Sequence, residues 1–278
     1  MRKFYLFFKI IICCLLVSIT SCHDNGNIKS ELKKSEKYVD IGTHKLRVVL
    51  SDISSKYTVV LEAGGGKYSE AYDEIQDTLA TLTGLRVMSY DRSGFGQSEL
   101  GPDTFNAMDE MAALKKCLEI QGFKDHFILV GHSYGGFLVQ LFTVRYPELV
   151  SGLVLIDPMN VTFVDRFGLD NLNAVTPYFE NPTKNYEKAG NRMVDSFPEA
   201  LDILRGKELP PQIPVILITA GHAPISEDLW RKCHEEMVIN SEKHKIVIAE
   251  ENHHDIVLEN PELVLHTIIE LINNMKSG

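Results

Sequence analysis

The chain has 278 residues, of which 44% are hydrophobic, and its formal charge at pH 7 is −10. This length and composition suit one large globular domain with an insertion. The acidic balance argues against nucleic acid or an anionic bilayer surface as a binding partner.

The N-terminal segment is predicted to direct export. Residues 1–9 are basic and aromatic, and the apolar run at residues 10–20 suits a signal peptide over residues 1–21 but is short for a membrane span. The segment ends in Ile-Thr-Ser-Cys, which resembles a bacterial lipobox and implies that Cys22 carries a lipid. The alternative is a plain signal peptide with an accidental cysteine. Residues 22–37 are then a flexible tether, and we expect a protein on the periplasmic or cell-surface side, held to a bacterial membrane by this lipid alone.

Loss of the signal peptide leaves 25 basic and 38 acidic residues, a formal charge of −13. It also removes Cys13 and Cys14, so that only Cys117 and Cys233 remain besides Cys22. Two widely separated cysteines indicate neither a disulfide scaffold nor a metal site, and both fall in helical patterns that suit packing.

Apolar runs of strand length alternate with helical patterns along the rest of the chain. Residues 38–50 form a predicted hairpin, and further strands are predicted at residues 58–61, 86–90, 127–130, 153–156, 215–218 and 245–249. Helical patterns cover residues 72–82, 103–121 and 136–146, start again near Ser226 and follow Asn260-Pro261. Alternation of this kind predicts a mostly parallel central sheet with helices on both faces.

The regular alternation stops between residues 159 and 211. This stretch has no strong strand pattern and contains five prolines. An insertion of this length is usually a lid or binding element, so we predict a helical cap above the strand ends. Its aromatic residues Phe163, Phe167, Tyr178 and Phe179 either line a substrate pocket or pack the cap onto the core.

A Gly-x-Ser-x-Gly sequence, Gly131 to Gly135, lies between the predicted strand at residues 127–130 and the next helix. In this context the serine occupies a sharp, strained turn that projects the Ser133 hydroxyl from the top of the sheet. A Cβ at Gly131 or Gly135 would crowd the approach of strand and helix. The positive end of the helix dipole points to the same place, where it stabilises an oxyanion. Ser133 is therefore the candidate nucleophile.

Five motifs occur in the order typical of one family. They are Leu-Glu-Ala-Gly-Gly-Gly after the strand at residues 58–61, Asp-Arg-x-Gly-x-Gly-x-Ser after the strand at 86–90, the serine turn, Leu-Ile-Asp-Pro, and a late histidine followed seven residues on by Pro261. With these motifs, residues 38–278 resemble an α/β-hydrolase, and capped serine esterases are the most similar in pattern. The resemblance implies a cap insertion at about 159–211 and catalysis by a serine, a histidine and an acid.

The resemblance places the catalytic base in the loop after the last strand, which contains His253 and His254. In the family the base is commonly preceded by glycine and followed at seven residues by proline. Pro261 therefore selects His254, although His253 stands where glycine is usual, and an exchange of the two roles is the alternative. The base would deprotonate Ser133, whose hydroxyl alone is a poor nucleophile.

The acid is the member least constrained by the sequence. The family most often places it after the strand at residues 215–218, but the loop there has no carboxylate before Glu227 and Asp228, which suit the first turn of a helix. A variant of the fold places the acid after the preceding strand, which here ends at Asp157. Carboxyl ends of parallel strands open at one edge, so Asp157 can reach a histidine beside Ser133. Asp157 is the predicted acid, with Glu227 or Asp228 as alternatives.

Two backbone N–H groups are expected to hold the oxyanion. One belongs to Tyr134, directly after the nucleophile, and alignment by motif assigns the other to Gly65. The alternative is that the three glycines around Gly65 only form a tight turn. Ala63 replaces the histidine that is usual in this loop, so support for the loop must differ. The resemblance gives Asp91 and Arg92 structural roles that brace the site.

The predicted function is hydrolysis of a carboxylic ester, or a related acyl bond, of a small molecule through an acyl-enzyme. Peptidase, carbon–carbon hydrolase and acyltransferase activities are alternatives because they use the same catalytic groups. A non-catalytic binding protein on this scaffold is a further alternative. A serine nucleophile argues against the dehalogenase and epoxide hydrolase branches of the family, which use aspartate.

No cofactor or metal is expected. Gly94-Phe95-Gly96 lacks the third glycine of a dinucleotide fingerprint, and His234-Glu235-Glu236 lacks the second histidine of a zinc-protease helix.

Overall fold

One sheet of eight strands organises the computed structural model, which describes residues 34–223 and 225–277. The strands are β1 (Lys34–Asp40), β2 (Lys45–Ser51), β3 (Thr58–Glu62), β4 (Arg86–Tyr90), β5 (Phe127–His132), β6 (Val150–Ile156), β7 (Val215–Ala220) and β8 (His244–Ala249). Their order is β1-β2-β4-β3-β5-β6-β7-β8, with β2 antiparallel to both neighbours and every other pair parallel. The predicted mostly parallel sheet is confirmed.

Helices connect the strands and cover both faces of the sheet. They are α1 (Asp73–Thr83), α2 (Ala107–Ile120), α3 (Tyr134–Arg145), α4 (Val161–Phe167), α5 (Leu169–Val175), α6 (Asn185–Leu204), α7 (Glu227–Val238), α8 (Ile256–Glu259) and α9 (Pro261–Ser277). Successive side chains of β3 alternate between two buried clusters: Val60 packs with α2 and α3, and Val59 packs with α1 and α9. Burial on both faces explains why the central strands are apolar without interruption. In the part of the chain described, no helix combines the length and apolarity needed to cross a membrane.

The insertion between β6 and β7 is helical, as predicted. Residues 157–214, all of which are described, contain α4, α5 and α6 and no strand. Asn160 begins α4, because its side-chain oxygen accepts a hydrogen bond from the Phe163 N–H at 2.7 Å. On α6, the Arg192 guanidinium donates to the Gly101 carbonyl at 2.8 Å and so fastens the cap to the core.

The N-terminal boundary differs from the prediction. Residues 34–40 pair with β2 along their whole length, so residues 34–37, assigned to the tether of residues 22–37, are strand. The stretch is polar because β1 is a largely exposed edge strand, whose main-chain hydrogen bonds need no apolar pattern. The signal peptide at residues 1–21, Cys22 and the rest of the tether lie outside the described residues and stay predictions.

Helix α2 begins at Ala107, later than the predicted start near residue 103. The Asn106 side chain accepts hydrogen bonds from the Met108 and Asp109 N–H groups at 2.9 and 3.0 Å. In return the Asp109 carboxylate accepts from the Asn106 N–H at 2.9 Å. This reciprocal capping fixes the first turn of the helix at Ala107.

Candidate active site

The serine turn has the strained geometry of a nucleophile elbow. Ser133 lies between β5 and α3 with a φ of 54° and a ψ of −119°, and a positive φ is rare outside glycine. A Cβ on Gly131 would lie 2.6 Å from the Gly135 carbonyl oxygen, and one on Gly135 would lie 2.4 Å from the Ala63 carbonyl oxygen. Only glycine fits at either position, so the motif permits the close approach of β5, α3 and the loop after β3.

The structure brings Ser133, His254 and Asp157 into one hydrogen-bonded chain. The Ser133 Oγ lies 2.8 Å from the His254 Nε2, and the His254 Nδ1 lies 2.6 Å from the Asp157 Oδ2. The three residues follow β5, β8 and β6, whose carboxyl ends open at the same edge of the sheet. With Nδ1–H donating to the carboxylate, Nε2 accepts the hydrogen bond from the Ser133 hydroxyl, which is the tautomer that a general base needs.

Asp157 is wholly buried and is held from several sides. Its Oδ1 accepts hydrogen bonds from the Ala220 N–H at 2.9 Å and from the Trp230 indole N–H at 2.8 Å. Burial alone would raise the Asp157 pKa, but the hydrogen bond from His254 and the nearby His234 outweigh burial and hold this pKa below its ordinary value. The carboxylate is therefore ionised at neutral pH.

The alternative acids and the alternative base lie elsewhere. Glu227 and Asp228 begin α7, and the Glu227 carboxylate, 49% exposed, lies 3.8 Å from the His222 ring. His253 has 71% of its side chain exposed, and its Nδ1 lies 3.6 Å from the Glu259 carboxylate. None of them contacts Ser133 in the part of the chain that the structure describes.

Among all described residues, no group of three or more His, Cys, Asp or Glu side chains is arranged to hold a metal ion.

A buried histidine, His132, supports the loop that carries His254. The His132 ring centroid lies 5.0 Å from that of His254, and the His132 Nε2–H donates to the His254 main-chain carbonyl at 2.7 Å. Burial and the neighbouring His254 lower the His132 pKa to about 4. His132 therefore stays neutral near pH 7 and anchors the main chain at His254.

We expect the protein to lose stability as the pH falls from about 6.5 to about 4. The His132 pKa is lower in the folded chain than in the unfolded one, so protons bind the unfolded state first and favour it below about pH 6.5. The largest loss from this residue is about 3 kcal/mol. His132→Gln keeps a side-chain donor but cannot titrate. Urea unfolding at both ends of this pH range should show a smaller loss in this variant, and equal losses would contradict the assignment.

A buried ion pair braces the loop after β3. The Arg92 Nη1 lies 2.6 Å from a Glu62 carboxylate oxygen, with both side chains almost wholly buried. The same guanidinium donates to the Ala63 carbonyl, and to the Gly64 carbonyl at 2.7 Å. The Gly64 carbonyl and the Gly65 N–H belong to one planar peptide, so Arg92 fixes the direction of that N–H. Arg92 thus has a bracing role and supplies support that the loop lacks because Ala63 replaces histidine.

The two expected oxyanion donors lie next to each other. A Cβ on Gly65 would lie 3.7 Å from the Tyr134 Cβ, and both residues line one cavity with Ser133. Tyr134 is the first residue of α3, where an N–H group has no acceptor within its own helix. Gly65 and Tyr134 therefore lie on the same side of the cavity as Ser133, and their role as oxyanion donors stays a prediction.

An apolar cavity of about 360 Å³ opens beside the nucleophile, beneath the cap. Of the four cap aromatics proposed from the sequence, Phe179 lines this cavity. Phe163 instead packs on Trp230 with ring centroids 4.6 Å apart, Phe167 stacks on Phe163, and Tyr178 is 55% exposed. Phe163 and Phe167 therefore join the cap to the core, whereas α6 contributes residues to the cavity wall that the sequence did not single out.

The chain matches known proteins in sequence and in fold. Residues 57–203 match a family described as "alpha/beta hydrolase fold". The uncharacterized protein YqjL of Bacillus subtilis is 23% identical over 219 residues, which cover 76% of this chain and 81% of YqjL. The proline iminopeptidase of Lactobacillus helveticus is 30% identical over 113 residues, 38% of this chain and 37% of that protein. The haloalkane dehalogenase DatA of Agrobacterium tumefaciens C58 shares the fold, with a TM-score of 0.66 and 15% identity over 87% of this chain and 97% of DatA.

Proposed function

The chain belongs to the alpha/beta hydrolase fold family, and from this premise we propose that it is a serine hydrolase that cleaves a carboxylic ester of a small molecule. The observation that carries the proposal is the hydrogen-bonded chain from Ser133 through His254 to Asp157. A hydroxyl, an imidazole and a carboxylate hydrogen-bonded in this order are the groups that make a serine nucleophilic.

In the proposed reaction, His254 takes the proton of the Ser133 hydroxyl as Oγ attacks the ester carbonyl carbon. The tetrahedral oxyanion accepts hydrogen bonds from the Gly65 and Tyr134 N–H groups, and Asp157 stabilises the imidazolium. His254 then protonates the leaving alcohol oxygen as the C–O bond breaks, which leaves an acyl-enzyme. Water attacks the acyl carbon while His254 takes its proton, and Ser133 recovers a proton as the carboxylic acid leaves.

Peptide cleavage, carbon–carbon hydrolysis and acyl transfer are alternatives because they use the same groups. The similarity to a proline iminopeptidase makes peptide cleavage the first of them, but that similarity spans 38% of the chain. A non-catalytic binding protein is disfavoured. It has no need for the positive φ at Ser133, which costs stability, or for a histidine hydrogen-bonded to both Ser133 and Asp157.

A fluorophosphonate probe tests the proposal. We expect one probe molecule to attach per chain, on Ser133, because the probe reacts with an activated serine hydroxyl. Mass spectrometry of the peptides locates the adduct, and Ser133→Ala, which leaves the fold intact by circular dichroism, should not be labelled. A folded wild-type protein that is neither labelled nor active on any p-nitrophenyl ester would refute the serine hydrolase assignment.

A further inference from the structure

We propose that the cavity beside Ser133 binds the acyl part of the substrate, that this part is a neutral alkanoyl chain of medium length, and that Gly190 sets the length limit. The proposal rests on the serine hydrolase function above and assigns its substrate class. The cavity volume of about 360 Å³ lies near the lower end of the range for small-molecule sites, about 300–1,000 Å³. A site near the lower end of this range favours a chain of limited length over a long fatty acyl chain.

The position of the cavity decides which part of the ester it takes. Ser133, Gly65 and Tyr134 line it, so the cavity touches the nucleophile and both proposed oxyanion donors. His254, which must protonate the leaving group, is not among the described residues that line it. The leaving alcohol therefore lies on the His254 side, and the chain attached to the carbonyl carbon enters the cavity.

The chemistry of the walls selects a neutral chain. Among the described residues that line the cavity, none carries a formal charge, and most side chains are apolar. An N-terminal aminoacyl group, as in a peptide with a free amine, would bring an ammonium that needs a carboxylate to offset its desolvation. The cavity offers no such partner in these residues, so it disfavours aminoacyl groups and favours alkanoyl groups.

One face of α6 forms the cap side of the cavity. Tyr186, Gly190, Met193 and Phe197 all line it, and their spacing of four, three and four residues is that of a single helix face. Gly190 is the member of this helix face that has no side chain. Glycine inside a helix is destabilising relative to alanine, yet a Cβ here would meet only the Phe179 ring, at 3.5 Å, an ordinary contact. Neither the backbone conformation nor contacts with neighbouring residues require glycine at position 190. The need for space to hold a ligand accounts for it.

Kinetics on p-nitrophenyl esters from acetate to palmitate test the proposal. For the wild type we expect kcat/KM to peak between hexanoate and decanoate. In Gly190→Val, kcat/KM for octanoate should fall by about 10–100-fold and clearly more than for acetate, because the new side chain takes up cavity volume that an octanoyl chain needs and an acetyl group does not. Gly190→Ala should show a smaller shift and unfold at a higher temperature.

Glu199→Val is the matched control, because it places the same side chain on the exposed face of α6. It should keep the wild-type chain-length profile. A protein that is labelled by the fluorophosphonate but prefers acetate, or whose profile is unchanged in Gly190→Val, would overturn the substrate assignment alone. Prolyl-β-naphthylamide carries a free amine. If the protein turned it over faster than the octanoate ester, the substrate assignment would also be overturned. A folded protein that is neither labelled nor active on any of these esters would overturn the serine hydrolase function and the inference with it.

Discussion

Replacing His254 by alanine is expected to lower kcat for an activated ester by about 10⁶-fold. Without the imidazole, the Ser133 hydroxyl loses the side-chain acceptor that it has among the described residues, and it stays a weak nucleophile. The oxyanion donors and the cavity survive the change, so a small rate above the uncatalysed reaction should remain. Steady-state hydrolysis of p-nitrophenyl octanoate measures the loss.

His253→Ala is the matched control for that variant. The neighbouring histidine is 71% exposed and faces Glu259, so its removal should leave kcat close to the wild-type value. This pair of variants separates the two adjacent histidines, which the sequence alone leaves exchangeable. A large loss in His253→Ala with little loss in His254→Ala would reverse their roles.

Asp157→Asn is expected to lower kcat by about 10⁴-fold while the protein stays folded. The amide oxygen can still accept the hydrogen bonds from the Trp230 and Ala220 N–H groups. The amide nitrogen then faces the His254 Nδ1, which must become an acceptor. The imidazole proton moves to Nε2, where it prevents acceptance of the Ser133 proton. Steady-state kinetics on the same ester measure the loss, and thermal unfolding verifies the fold.

Glu227→Gln and Asp228→Asn are the controls for the acid. Both residues begin α7, and Glu227 is 49% exposed, so both variants should turn over the ester like the wild type. Wild-type turnover in Asp157→Asn together with lost turnover in Asp228→Asn would show that the acid is misassigned.

Local patterns in the sequence predict the elements that position the site. The strand at residues 86–90 agrees with the prediction at both ends, because a short segment with buried Val87, Met88 and Tyr90 is bounded by loop residues on both sides. The turn at Ser133 is predictable because glycines on both sides of a strand-to-helix junction permit it. The meeting of His254 and Asp157 follows from the parallel order of the strands, whose carboxyl ends share one edge.

Contacts between distant parts of the chain leave no such pattern. The Trp230 indole reaches Asp157 across 73 residues, and the Arg92 guanidinium reaches Gly64 across 28 residues. In each pair the two residues belong to different elements, so no spacing in the sequence reports the contact. The sequence predicts only part of β1 for a related reason. The main chain of residues 34–37 pairs with β2, but their polar side chains do not have the pattern of a strand. Gly190 is an ordinary helix glycine until the cavity beside it is known.

None of the described residues between β7 and α7 belongs to the hydrogen-bonded chain of Ser133, His254 and Asp157, because its carboxylate lies at the end of β6. Insertions, deletions or substitutions in this loop should therefore leave the hydrogen bonds of Ser133, His254 and Asp157 unchanged. The condition is that the His222 N–H keeps its hydrogen bond to the Asn252 carbonyl, at 3.0 Å. Such a loop can therefore differ in length and composition between related proteins while the hydrogen bonds of Ser133, His254 and Asp157 stay the same.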